Sequence, residues 1–142
     1  MAEIKNSRDY ADQPLMQAGV KVKFEPFKSA LEDCRKAIAA LEQIAERDPK
    51  NKEAKFDVAM AYYQTSNLLQ KMPENMPQAI IFMRRATEEL EKLYAENPDD
   101  REIAENLHSG FGRLSGINKI IGNNLQSVEF QKKSEIYKSR NF

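Results

Sequence analysis

ALEDCRKAIAALEQIAERDPKNKEAKFDV, residues 30–58, and AIIFMRRATEELEKLYAENPDDREIAENL, residues 79–107, decide the fold. Laid one on the other at an interval of 49, they align Pro49 with Pro98, Ala30 with Ala79, Arg35 with Arg84, Ala37 with Ala86, Leu41 with Leu90, Glu42 with Glu91 and Glu53 with Glu102. Further along, Val58 meets Leu107, Tyr62 meets Phe111 and Ser66 meets Ser115. An interval of 48 carries the second copy onto a third, shorter one: Ala79 to Ser127, Phe82 to Phe130, Arg84 to Lys132, Arg85 to Lys133 and Ala86 to Ser134. The one-residue slip falls in Gly122-Asn123-Asn124. Self-similarity at a fixed interval is the signature of an array whose units bury their apolar faces against one another.

Each copy reads as helix. Ala30, Leu31, Cys34, Ala37, Ile38, Leu41, Ile44 and Ala45 recur at steps of three and four, as one apolar helix face requires. Similar stripes run through Ala54, Val58, Ala61, Tyr62, Leu68 and Leu69, through Ala79, Ile80, Met83, Ala86, Leu90 and Leu93, and through Ile103, Leu107, Phe111, Leu114 and Ile117. Asp48-Pro49 and Asn97-Pro98 stop helices, because the residue before proline is driven out of the α region. Expected helices therefore cover about 26–48, 52–71, 78–96, 101–121 and 126–140, the last more polar than the others and suited to capping the array against solvent. Residues 1–25 carry no helical period. Val20, Val22 and Phe24 alternate with Lys21, Lys23 and Glu25, which reads as an extended or flexible arm preceding a helical domain over 26–142. Pro26 is expected in a first helical turn.

Small residues recur where helices must approach closely, at Ala30/Ala79/Ser127 and Ala37/Ala86/Ser134. Larger ones fill the space between, as at Leu41/Leu90 and Tyr62/Phe111. The chain enters the array at the second helix of a unit, so the outer face of that first helix needs a cover: the 1–25 arm, another domain or a second copy in a homo-oligomer.

Lys and Arg together number 22, as do Asp and Glu, so there is no basic excess of the kind that general nucleic-acid binding needs. Acids gather over 88–105 and bases over 131–140, which reads as a solvated face or as steering for a charged partner. One cysteine, Cys34, leaves no internal disulfide to form and points to a reducing, cytoplasmic setting. The N-terminus has no apolar run of signal type, and no stretch is apolar enough to span a membrane. His108 is the single histidine and takes a packing position in the alignment. Without paired acids, a second histidine or a paired cysteine, neither catalysis nor a bound metal or cofactor is expected. Gly110, Gly112 and Gly116 lie within a helical stripe with no strand before them, so they read as close-packing sites and not as a phosphate loop.

The arrangement resembles the tetratricopeptide repeat family. The family's first helix carries a leucine-like residue, a small one and then an aromatic, which Val58-Ala59 with Tyr62 match, as do Leu107-His108 with Phe111 except that His108 stands in the small position. Its second helix carries two alanines seven apart around a bulky residue, matched by Ala79, Met83 and Ala86 and by Ala30, Cys34 and Ala37. Its closing proline appears as Pro49 and Pro98. The resemblance covers about residues 27–138. Units here are 49 residues against about 34 in the family, and Lys55 and Ala104 stand where it has a tryptophan-like residue; the long form is similar to extended repeats of bacterial multidomain signalling proteins. The resemblance implies an all-α superhelix of antiparallel helix hairpins, about five helices, serving as a scaffold or adaptor that holds a peptide or helix of a partner protein in a groove. A structural dimerisation or regulatory module of a larger signalling protein is the alternative. Groove residues implied by the family are Phe56, Met60 and Tyr63 in one unit, with Glu105, Ser109 and Gly112 at the corresponding places in the next. The Lys/Asn set with which some members grip a C-terminal carboxylate is absent.

Overall fold

The computed structural model describes residues 15–138, with side chains described from residue 26 onward. Five α-helices follow in order: α1 (Leu15–Arg47), α2 (Lys52–Leu69), α3 (Met76–Glu96), α4 (Arg101–Ile120) and α5 (Asn124–Lys138), with a 3-10 turn at Pro73–Asn75 between α2 and α3. No strand occurs among the described residues. Each helix packs against its neighbours in sequence, most extensively within the pairs α2/α3 and α4/α5.

Residues 15–25 are helical, which corrects the expected extended arm over that stretch; residues 1–14 lie outside the described residues. Alternation over six positions offers a strand nothing to pair with. Continuing an existing helix instead adds one backbone bond for each residue fixed. Pro26 consequently sits in the interior of α1 rather than in its first turn, losing the bond its missing N–H would have made and crowding the carbonyl one turn earlier.

The two proline turns share their main hydrogen bonds. Asp48 N–H donates to Ile44 C=O, as Asn97 N–H does to Leu93 C=O. Asn51 N–H donates to Asp48 C=O at 2.9 Å, and Asp100 N–H to Asn97 C=O at 3.0 Å. The Asn51 side chain then caps α2 by accepting from Ala54 N–H at 3.0 Å, and Asp100 caps α4 by accepting from Ile103 N–H at 3.1 Å. Every one of these pairs is related by 49. The α4/α5 connection differs: Gly122 at φ 84° lets Gly122 N–H reach Lys119 C=O and Asn123 N–H reach Asn118 C=O, the Schellman closure. From Ser115 to Ser127 the chain is one residue shorter than from Ser66 to Ala79, and there the repeat slips from 49 to 48.

Within each pair the helices run antiparallel. In α2/α3, Ser66 lies against Ala79 and Tyr62 against Phe82. In α4/α5, Ser115 lies against Ser127, Phe111 against Phe130 and His108 against Ser134. Ser66 and Ser115, both buried, donate to the carbonyls of Ala79 and Ser127 at 2.6 and 2.7 Å. The alanines at 59, 79 and 86 are fully buried, and Met83, Leu90, Leu107 and Leu114 fill the core around them.

The ends of the array differ from its middle. On α1, Ala37 is exposed and Ile44 is 48% exposed, although their counterparts Ala86 and Leu93 are buried. The reason is the half unit: α3 has α2 in front of that face, whereas no described helix stands in front of α1. On α5, the positions matching the buried Met83, Thr87 and Leu90 are Gln131, Glu135 and Lys138, all exposed, so its outer face meets water with polar groups there, beside the exposed Leu125, Val128 and Ile136.

Candidate partner-binding clefts

Phe56 and Met60 are half-buried and pack on the main core. Tyr63 is buried at 7% exposure, its ring beneath the Arg113 guanidinium 6.0 Å away on α4. Gly110 lies beside that ring, where a Cβ would make an ordinary contact at 3.6 Å; its close neighbour is Thr87 Cγ2 of α3, at 2.8 Å. Glu105 and Ser109 are exposed, and Gly112 lies against Ser134 of α5. Of the six expected groove residues, Phe56 lines a cleft of about 370 Å³ between the starts of α2 and α4 that also contains Lys52, Asp100 and Glu102. Tyr63 and Gly112 are turned to internal packing, because α4 closes over the first and α5 over the second.

A larger cleft of about 620 Å³ opens on the opposite edge of α2, where α1, α2 and α3 meet. Val58, Leu93 and Ala45 give it apolar surface, and Tyr62 forms part of its wall. Glu42, Glu46, Glu89 and Glu96 surround it, with Lys55 and Lys92 as the basic groups. Lys92 is 3.5 Å from Glu89, one helical turn away. Glu46 and Glu96 form no ion pair among the described residues.

Tyr62 donates its hydroxyl to Glu42 in a short hydrogen bond between α1 and α2. Burial, reinforced by the Glu42 carboxylate, pushes the phenol up to about 12, so the hydroxyl stays a donor at any physiological pH. Arg85 stands 6.0 Å from the rings of both Tyr62 and Phe82, a cation over paired aromatics.

The junction of α3, α4 and α5 repeats this construction. Phe111 and Phe130 stack at 6.0 Å where Tyr62 and Phe82 meet at 6.2 Å, and Lys133 stands 5.3 Å over Phe111 where Arg85 stands over Tyr62. Among the lining positions that differ, Ala45 becomes Tyr94 and Glu89 becomes Tyr137, while Glu46 and Lys55 become Ala95 and Ala104. Those tyrosines meet edge to face at 5.6 Å, and Tyr137 also stacks on Phe111 at 5.8 Å. The Tyr137 hydroxyl donates to Glu91, the counterpart of Glu42, at 3.1 Å.

His108 is half-buried and joined to α5: its Nδ1 lies 2.9 Å from the Ser134 carbonyl, and the Ser134 hydroxyl donates to the His108 carbonyl at 2.8 Å. Since that donation uses the hydroxyl hydrogen, the network assigns the imidazole proton to Nδ1. The pair stands where the first unit has Ala59 and Ala86. Among the described residues, no three His, Cys, Asp or Glu side chains gather in a manner that could hold a metal ion. No described helix is long and apolar enough to cross a membrane.

Comparison with protein-family models, curated protein sequences and solved structures finds no significant match to this chain.

The larger cleft was missed by sequence reasoning, although its signal is present. Two large side chains of one unit, Tyr94 and Tyr137, stand opposite Ala45 and Glu89 in the other, and a repeat that omits bulk at two neighbouring positions leaves space.

Proposed function

We propose that this chain is a protein-interaction module of tetratricopeptide-like build, holding a segment of a partner protein against its helix pairs. The observation that carries the reading is the α1/α2/α3 cleft: it is open and partly apolar, at a junction whose counterpart is filled by the chain's own rings. Apolar space that a fold can seal and does not is a common mark of a binding surface. The Phe56 cleft offers a second, more polar contact on the other edge, where the repeat resemblance places its groove. Nothing in this reading calls for catalysis or a cofactor, and a lone thiol at Cys34 suits a reducing, cytoplasmic setting.

The test is selection of peptides from a random displayed library, followed by amide-shift mapping of the selected peptides on the full chain. Binders whose shifts centre on Ala45, Val58 and Leu93, or on Phe56 and Met60, support the module. A library yielding no peptide that binds in the micromolar range, alongside a well-folded chain, overturns it.

A second reading is favoured by α1. Exposed Ala37 and half-exposed Ile44 match positions that α2 covers on α3, so this face suits a dimerisation contact. Sedimentation over a hundredfold concentration range tests it: a constant monomer mass removes it.

A further inference from the structure

We propose that the α1/α2/α3 cleft receives an aromatic side chain, tyrosine by preference, from a partner segment bearing lysine or arginine beside it. The proposal rests on the interaction-module reading above and names the chemistry of the partner.

The second junction shows what such a space holds when it is full. Its framework matches the first in the aromatic pair, in the cation over that pair and in the glutamate on the preceding helix. Into that framework go the rings of Tyr94 and Tyr137, the latter stacked on Phe111 with its hydroxyl on Glu91. At the first junction Tyr62 and Glu42 are in place, but Ala45 and Glu89 supply no ring. A cavity of about 150 Å³ accepts a benzene molecule. The 620 Å³ here therefore admits a ring with its flanking backbone. An incoming phenol has Tyr62 to lie against, and Glu42, already accepting from Tyr62, has lone pairs left for a second donor.

Charge specifies the flanks. Of the four acids around the cleft, Glu89 has Lys92 within 3.5 Å, while Glu46 and Glu96 are exposed without an ion pair among the described residues. Lys55 offsets one of them at most. The mouth thus favours cations beside the ring and disfavours phosphate or carboxylate groups, which sets a basic peptide above a nucleic acid or an acidic lipid surface.

The experiment titrates the full chain, observed by amide shifts, with three short Gly/Ser peptides: one with tyrosine between two lysines, one with alanine between two lysines and one with tyrosine between two glutamates. The first is expected to perturb Ala45, Val58 and Leu93 and to bind at least about tenfold more tightly than the others. The variant Ala45→Tyr with Glu89→Tyr refills the junction; it should melt higher than the parent and lose the peptide. Glu46→Lys with Glu96→Lys changes exposed residues only, so it should keep the parent's helicity and lose the peptide as well. Equal binding of the alanine peptide, preference for the acidic peptide, or retention by the charge-reversed chain overturns the proposal. So does a concentration-dependent mass that the refilled variant abolishes, which would give the cleft to a second copy. Library peptides that map to the Phe56 side would sink this inference while leaving the interaction-module reading intact; no library binder at all sinks that reading itself.

Discussion

The Lys52 ammonium lies 2.6 Å from the Asp100 carboxylate, so the first residue of α2 is fastened to the residue that caps α4. The two proline turns, equivalent in sequence and in backbone bonding, thereby touch each other. Lysine holds the Asp100 carboxyl below its ordinary 3.8, with burial opposing and the Ile103 amide assisting. A carboxyl lowered on folding stabilises the fold above its unfolded value and loses that contribution as pH falls through its folded value. Asp100→Asn keeps a cap acceptor and removes the charge. Its urea midpoint should change less than the parent's as pH is lowered below about 4, with a neutral-pH cost of about 1 kcal/mol or less for so exposed a pair. Identical acid profiles would show the pair to be idle.

The same substitution should be costly at one of two repeat-equivalent positions and nearly neutral at the other. Ala86 is fully buried, and Ala86→Leu should cost about 1–3 kcal/mol by overpacking. Ala37 is exposed, and Ala37→Leu should stay within about 0.5 kcal/mol. Leu90→Ala, in the same core as Ala86, should cost about 2–5 kcal/mol. Denaturant midpoints decide all three. A large loss at Ala37 would mean that its face is covered in solution.

Two glycines of α4 should also diverge on replacement by alanine. Each change gains about 1 kcal/mol of helix propensity. At Gly116 nothing stands within 4 Å of a new Cβ, so Gly116→Ala should raise the melting temperature. At Gly110 the Cβ would fall 2.8 Å from Thr87 Cγ2, and that threonine is buried with its hydroxyl bonded to the Met83 and Arg84 carbonyls. Gly110→Ala should therefore lower it. A higher melting point at both would show that α3 and α4 yield easily.

Ser66→Ala and Ser115→Ala should each cost about 0.5–1.5 kcal/mol, the net worth of a buried hydroxyl donor. Similar losses in the two variants are expected, because the bonds link the same two sites of successive helix pairs. A loss in one alone would mean that only one pair depends on its serine.

The helices and their turns were legible because proline and the apolar period are local signals, and the interval of 49 matched Ser66 with Ser115 without marking either as buried. The start of α1 was not legible: Val20, Val22 and Phe24 alternate like a strand, and helix continuity overrode that pattern. Exposure of Ala37 could not be read from its match to Ala86, because burial depends on a helix in front of that face, and none of the described helices stands there. At the expected groove, the family-level positions do not register that α4 lies over the Tyr63 ring while Phe56 stays half-buried at a cleft. The larger cleft escaped notice because identities in the alignment were weighed and losses of bulk were not.

On α5, Gln131, Glu135 and Lys138 replace the apolar and buried groups on which a further helix pair would stack, and the two proline turns share their backbone bonds. Further blocks of forty-nine residues inserted ahead of α5 should therefore lengthen the protein without exposing a new sticky end. Alanine and glutamate, or a pair of tyrosines, at the positions of 45 and 89 in each block would set whether that interval is left open or plugged. The present arrangement would then be one member of a tunable series, with one junction open and one plugged.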